Sequence, residues 1–315
     1  MTTFSLSQEW VTKVTSSDEP DVAIIGASRS SLPTEAELRK ALEEIAQSET
    51  VREMSRRQWI HPKSVPPKDR VAARGEALLE FFKVRQTIMP TYAMYKGRRV
   101  AMKRGVMEDL AVGAWLSYIT DVASQCTYTS SFNSSKINKD FLKSVAQLSA
   151  RPNGPTLALD AIREIGICVV LESSLPGMSI DGAAFHRTGL PPVIALTARH
   201  DRLDNFWFTL FHELGHVFLH LRRPSNDVFV DAEEEGDEIE AEAEANAFAK
   251  DSLIPRDIWL RSEAYRFGSE ASVIALAKQL NIHPAIVAGR IRHERRNFKL
   301  FYDLIGRDKV RDALF

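Results

Sequence analysis

The fold is organised by residues 206–220, which read FWFTLFHELGHVFLH. Large apolar side chains return here every three or four residues, which is the spacing of one helical face. We therefore predict a helix over residues 206–221 that packs deep in the core. Five residues form its predicted buried stripe: Trp207, Phe211, Leu214, Phe218 and Leu221.

Two histidines of this stretch, His212 and His216, are four residues apart. In a helix this spacing places them on one face, about 40° apart and one turn above the other, so both imidazoles can bind one metal ion. Glu213 lies on the flank of that face, within reach of a water on the metal but poorly placed as a ligand. This is the His-Glu-x-x-His pattern of zinc peptidases, with two histidine ligands and a glutamate general base.

A chance match is the simpler interpretation of so short a motif, because histidine pairs at this spacing also occur on helix surfaces. Two features favour a metal. The helix is apolar enough to be buried, and buried histidines need polar partners. Gly215 stands where helix propensity would not select glycine, which indicates that a side chain is excluded beside the metal.

A second motif, EAEANAFA at residues 242–249, predicts another helix. Glu242 and Asn246 are four residues apart and therefore share a face. A carboxylate from a second helix would complete a site of two histidines and one glutamate, with a fourth position open for water. Asn246, one turn later, is placed to orient a ligand through a hydrogen bond.

The choice of the third ligand stays open at this point. Residues 231–244 contain nine acidic residues in fourteen, and such a run is usually a solvated face. Glu240 and Glu244 are alternatives to Glu242, although the apolar phase of the helix places Glu242 beside the buried side. His220 is a further alternative, but a continuous helix carries it one turn beyond His216.

Several motifs, in this order, resemble the ImmA/IrrE family of metallopeptidases, and together they cover roughly residues 155–295. The resemblance implies a minimal zincin that binds one zinc ion and cleaves regulatory proteins, often helix-turn-helix repressors. In the family pattern the glutamate four residues before the asparagine is the third ligand, which corresponds to Glu242. The motifs are DGAAF at 181–185, PVIAL at 192–196, the stretch from 206 to 216, the motif at 242–249 and LIP at 253–255.

Longer members of the family carry an N-terminal helix-turn-helix region and are described as antitoxin-like regulators. Residues 71–148 resemble those members, although we find no convincing helix-turn-helix in residues 34–60. Two functions therefore fit the sequence. One is a zinc endopeptidase that inactivates a regulatory partner, such as a repressor or a toxin. The other is an antitoxin-like binding module that uses the zincin fold as a scaffold. The intact Glu213 favours the first, and the long N-terminal region favours the second.

Proline clusters divide the chain of 315 residues. We predict an N-terminal helical region at 1–67, a helical regulatory region at 68–150 and the metallopeptidase domain at 151–315. The fold class is α+β, mainly helical, with a small antiparallel sheet. Its strands are predicted at residues 167–171, 182–185 and 193–196, and the last of them, directly before the metal helix, is expected to border the cleft.

Charge and hydropathy bound the partners and the location. Residues 51–110 contain 14 Lys/Arg against 6 Asp/Glu, a local net charge of +8 that is densest at 96–104. Such a basic surface could bind DNA phosphates. The alternatives are that it is simply a solvated helical face, or that it docks onto the acidic run at 231–244. No apolar run approaches 18 residues and no signal peptide is evident, so we expect a cytoplasmic protein without a membrane span. Cys126 and Cys168 are too few for a disulfide framework and are predicted core thiols.

An oxyanion stabiliser is also expected in a peptidase of this kind. Four polar residues are candidates, and the sequence does not choose among them: His186, His200, Arg202 and Tyr265.

Overall fold

The computed structural model describes residues 45–84, 106–126, 131–224, 228–232 and 240–314. The chain forms two compact units. The first takes in the described residues up to Asp121 together with residues 175–178, and the second takes in the described residues of 122–174 and of 179–315. The three-part division at residues 67 and 150 stays a prediction.

The first unit is helical in its described residues. Helix α1 spans Glu49–Arg56, α2 spans Arg70–Val84, and α3 spans Val106–Gln125 and continues into the second unit. Ser48 caps α1 by accepting a hydrogen bond from the Val51 amide. Five fully buried or nearly fully buried side chains form much of its core: Met54, Leu78, Phe82, Trp115 and Ile119.

Several of the basic residues in this unit are already paired. Arg57 Nε lies 2.8 Å from Glu53 Oε1, and Arg56 pairs with both Glu49 and Glu53. These pairs lie at helical spacing on α1 and its C-cap, and they partly neutralise the charges of Arg56 and Arg57. Residues 85–105, which include the densest basic part at 96–104, lie outside the described residues.

The second unit carries a four-stranded sheet and nine of the described helices. The strands are β1 (Cys168–Leu171), β2 (Ile180–Phe185), β3 (Val193–Leu196) and β4 (Val228–Ala232). The helices are α4 (Lys139–Leu148), α5 (Gly154–Glu164), α6 (Leu203–Leu219), α7 (Glu240–Leu253), α8 (Arg256–Arg261), α9 (Glu263–Arg266), α10 (Glu270–Leu280), α11 (Pro284–Glu294) and α12 (Arg311–Leu314). The α+β class and the mainly helical content are confirmed.

The sheet is mixed, so the prediction of a small antiparallel sheet was wrong for one of its three strand pairs. Its order is β1-β3-β2-β4, with β1 parallel to β3 and the other two pairs antiparallel. Strands β2 and β3 are antiparallel neighbours joined by a turn. Strand β1 pairs with the other edge of β3 and runs parallel to it. Consequently β3 is interior and fully buried, so the expectation that it borders the cleft was also wrong. Strand β4, which was not predicted, lies at the edge beside β2.

Helix α6 packs against the sheet and begins at Leu203, three residues earlier than predicted. Its first amides need partners, and the C-terminal segment supplies them: Leu203 N–H donates to the Gly306 carbonyl, and Asp204 N–H donates to the Ile305 carbonyl. Four of the five predicted stripe residues are fully buried, and the fifth is partly buried: Trp207, Phe211, Leu214 and Leu221, then Phe218.

The elements on either side of the predicted boundary at 150 belong to the same unit. Gln147 Nε2 donates to the Leu280 carbonyl over 3.1 Å, and the Ser149 hydroxyl accepts from the His283 amide over 2.9 Å. Helix α4 therefore packs with the C-terminal helix pair. That pair, α10 and α11, turns at Asn281, whose φ of +56° is left-handed. It packs in the core.

Two smaller outcomes complete the fold. Cys168 is buried in β1, as predicted, but Cys126 is exposed at the end of α3, so it is not a core thiol. None of the helices in the described part of the chain is long and apolar enough to cross a membrane.

Candidate metal centre

The two histidines of α6 face the same point. His212 and His216 are 1% and 0% exposed, and their Nε2 atoms lie 3.0 Å apart. This proximity follows from helix geometry, because residues four apart stand one turn above each other on one face. Two imidazole nitrogens aimed at one point form two sides of a metal site.

Helix α7 brings a carboxylate to the same point. Glu242 Oε2 lies 3.1 Å from His212 Nε2, and Glu242 Oε1 lies 3.4 Å from His216 Nε2. These three residues form the only group in the described residues whose potential ligand atoms are close enough to hold a metal, all within 4.8 Å of one another. The structure thus brings together the three ligands predicted from the sequence and the family resemblance.

Gly215 explains how the two helices come so close. A Cβ at Gly215 would lie 3.0 Å from the Phe248 ring and 3.3 Å from the Ala245 Cα. Ala245 and Ala249 are fully buried at this crossing. Small residues therefore let α7 approach α6 and deliver Glu242. The sequence-based interpretation of Gly215 was wrong in its detail, since the glycine clears space for α7 and not for the metal itself.

The distances fit a zinc ion. Zinc–nitrogen bonds of about 2.0–2.1 Å in a tetrahedron place neighbouring ligand atoms roughly 3.3 Å apart. The two Nε2 atoms lie 3.0 Å apart, and they lie 3.1 and 3.4 Å from the two different carboxylate oxygens of Glu242. Two imidazoles and one carboxylate are also a donor set that zinc accepts, with a fourth position left for water.

The protonation states suit metal binding as well. Burial, aided by repulsion from the neighbouring histidines and opposed by Glu242, lowers the pKa of His216 to about 4. Burial would raise the pKa of Glu242, but its interactions with the His212 and His216 side chains outweigh burial and lower that pKa to about 2. At neutral pH the imidazole is therefore neutral and the carboxylate is ionised, which are the forms that bind metal.

Asn246 lies where the sequence placed it. Its Oδ1 is 3.1 Å from His212 Nδ1, and an amide oxygen can only accept a hydrogen bond. His212 therefore carries its proton on Nδ1 and directs the lone pair of Nε2 toward Glu242 and His216. This is the arrangement by which a neighbouring group orients a metal-binding histidine.

Glu213 is fully buried and faces strand β2. A Cβ at Gly182 would lie 2.5 Å from Glu213 Oε1 and 2.9 Å from the Thr209 methyl group. Only glycine at this position lets the strand pass so close to the glutamate. The preceding Asp181 accepts hydrogen bonds from Arg199 and from Asn205 of α6, over 3.0 and 3.1 Å, and so ties β2 to the same helix.

The part of the chain that matches a known protein family includes this site. Residues 164–292 match a peptidase family described as the IrrE N-terminal-like domain. The match confirms the resemblance to the ImmA/IrrE family, and residues 164–292 are named the ImmA/IrrE domain after it. It contains all four strands, both metal helices and every residue of the candidate centre. No curated protein matches the chain.

Two alternatives for the third ligand lie outside the three-residue cluster of the ImmA/IrrE domain. His220 Nδ1 is 3.2 Å from His216 Nδ1, which is the ring nitrogen that faces away from Glu242. Glu244 Oε2 is 2.9 Å from His220 Nε2. Glu240, the remaining alternative, is exposed at the first residue of α7.

The candidate oxyanion donors have other contacts in the ImmA/IrrE domain. His186 is buried with its Nδ1 atom 2.8 Å from the Leu221 carbonyl, and Arg202 pairs with Asp204 over 3.0 Å. His200 lies 4.0 Å from Asp181, and the exposed Tyr265 packs edge-on against Trp259. The structure selects none of them as the donor.

Sequence reasoning missed Phe229 of β4, whose ring stacks on His216 with centroids 4.3 Å apart. The available signal was the short apolar run Val228-Phe-Val230 directly before the acidic segment.

Proposed function

We propose that this protein is a zinc-dependent endopeptidase that cleaves a regulatory protein, such as a helix-turn-helix repressor or a toxin. The observation that carries the proposal is the full burial of Glu213, the residue that follows the ligand His212 on α6, in a space that Gly182 leaves for it. A metal scaffold needs the ligands but has no use for a neighbouring buried carboxylate, which is costly to remove from water.

The chemistry follows from three protein ligands and a base. Zinc bound at such a centre activates water and polarises a carbonyl group. Glu213 accepts a proton from the attacking water, whose oxygen bonds to the carbonyl carbon of the substrate. The peptide C–N bond breaks, and Glu213 passes the proton to the departing amine.

Strand β4 is the best candidate for contacting an extended substrate. It is one of the two edge strands of the described sheet, and it is hydrogen-bonded only to β2. Phe229 of β4 stacks on His216, so this strand passes directly beside the centre. A peptide added to such an edge gains main-chain hydrogen bonds, while side-chain pockets set specificity. This role replaces the one expected of β3.

The test uses the zinc-loaded full-length protein and the regulatory protein encoded by the neighbouring gene. We expect mass spectrometry to show one discrete cut, which a chelator prevents and added zinc restores. Glu240→Gln is the matched control, since Glu240 is an exposed glutamate of α7 and should leave cleavage unchanged. Tight binding of the partner without any cut would contradict the proposal and favour an antitoxin-like binding module.

A further inference from the structure

His216 has a polar neighbour on the side away from Glu242. Its Nε2 atom faces the cluster, whereas its Nδ1 atom lies 3.2 Å from Nδ1 of His220. His220 follows α6 as its C-cap, and its backbone N–H donates to the His216 carbonyl. The two rings are therefore held one turn apart by the helix itself.

His220 in turn contacts a carboxylate. Its Nε2 atom lies 2.9 Å from Glu244 Oε2, and a carboxylate only accepts hydrogen bonds. The proton of His220 therefore sits on Nε2, and its Nδ1 atom accepts the hydrogen bond that His216 Nδ1–H donates. This series leaves the lone pair of His216 Nε2 directed at the metal position.

The rings of both histidines are held by the same aromatic side chain. Phe229 stacks on His216 at 4.3 Å with an interplanar angle of 18°, and it contacts the His220 ring at 5.1 Å. The side chains become more exposed along the series, from 0% at His216 to 15% at His220 and 55% at Glu244. The series therefore connects a buried ligand with a carboxylate at the surface.

We propose that His220 and Glu244 are positioning residues for the metal ligand His216. Helix α7 then supports both histidines of the centre: Asn246 contacts His212 directly, and Glu244 reaches His216 through His220. The proposal rests on the zinc centre of the proposed function, but not on proteolysis.

The first experiment measures the zinc dissociation constant of the full-length protein by competition with a chromophoric chelator. His220→Ala should weaken zinc binding roughly 10- to 100-fold, the usual effect of losing the group that orients a ligand. Glu244→Ala should weaken it by roughly two- to tenfold, because the lost hydrogen bond is mostly exposed. Glu240→Ala, which removes the same charge one turn earlier on α7, should have no measurable effect.

A double variant separates orientation from simple attraction between charges. Because Glu244 acts through His220, adding Glu244→Ala to His220→Ala should cause no further loss of affinity. If the carboxylate merely attracts the cation through space, its effect would persist in the His220→Ala background and would shrink in high salt. That result would overturn the proposal that Glu244 positions His216 through His220.

Two further measurements distinguish the loss of ligand orientation from misfolding of the variant. Chemical denaturation of the metal-free proteins should show that His220→Gln is folded, and its side-chain oxygen should restore part of the affinity as a substitute acceptor. Nitrogen-15 spectra of the zinc-loaded wild type should show His220 protonated on Nε2. Protonation on Nδ1 would overturn the proposal, as would unchanged affinity in His220→Ala. Normal zinc binding without cleavage would contradict only the proposed function, whereas a wild type that binds no zinc would overturn both.

Discussion

Gly182 of β2 lies directly against Glu213 of α6, so that a Cβ on the glycine would stand 2.5 Å from the carboxylate oxygen. One missing side chain thus sets the distance between the sheet and the helix that carries the histidines. The same contact holds the proposed base in place, because β2 packs directly against the Glu213 carboxylate.

We predict that Gly182→Ala displaces Glu213. The added methyl group overlaps the carboxylate and also meets Thr209 at 2.9 Å, and overpacking of this kind costs about 1–3 kcal/mol of the free energy of unfolding. Denaturant titration measures that cost, and proteolysis should fall by more than the stability change explains. In a Glu213→Ala background the penalty should shrink, since the main clash is gone. An equal penalty in both backgrounds would show that Glu213 is not the residue displaced.

Zinc binding should depend on both helices. His212→Ala and Glu242→Ala each remove one of three ligands, so metal analysis after dialysis should show loss of most of the bound zinc. Saturating zinc should raise the melting temperature of the wild type but not of these variants, because only a ligand that binds the folded state stabilises it. Full zinc occupancy in Glu242→Ala would remove that residue from the centre.

Asn246 should affect zinc through His212 alone. Asn246→Leu removes the acceptor of the His212 Nδ1 proton and should weaken zinc binding roughly 10- to 100-fold. Asn246→Asp keeps an acceptor oxygen at the same place and should retain most of the affinity. The chelator competition assay compares the two variants. Equal losses in both would indicate that side-chain packing, and not the hydrogen bond, is what matters at this position.

The metal helix could be predicted from the sequence because its signals are local. The apolar spacing around His212 and His216 depends only on helical periodicity, and the structure places both rings as that spacing requires. Glu242 needed more. Periodicity placed it on the buried side of its helix, but the choice over Glu240 and Glu244 depended on the family resemblance.

The arrangement of the strands could not be read in the same way. Strand β1 pairs in parallel with β3, although a whole strand lies between them in the sequence. The sequence of neither segment indicates whether its partner runs parallel or antiparallel. Strand β4 was missed because only three apolar residues precede the acidic run. Its position became clear only from its pairing with β2.

The glycines show the same limit. Gly215 was noticed because glycine is unfavourable in a helix, yet its reason lies in Ala245 and Phe248 of another helix. Gly182 was quoted only as part of a family motif, and its contact with Glu213 is a distance between elements. His220 and Glu244 were each weighed as ligands, whereas the structure makes them partners of each other.

The central claim is that Glu213 is the base of a zinc endopeptidase, and Glu213→Gln tests it most directly. The amide is nearly isosteric with the carboxylate but cannot accept the proton of the attacking water. The measurement is the rate of partner cleavage by wild type and variant at equal zinc occupancy, with zinc content and thermal stability determined on the same samples. We predict that the variant keeps the zinc and the fold and loses cleavage. Cleavage by the zinc-loaded variant at the wild-type rate would contradict the account.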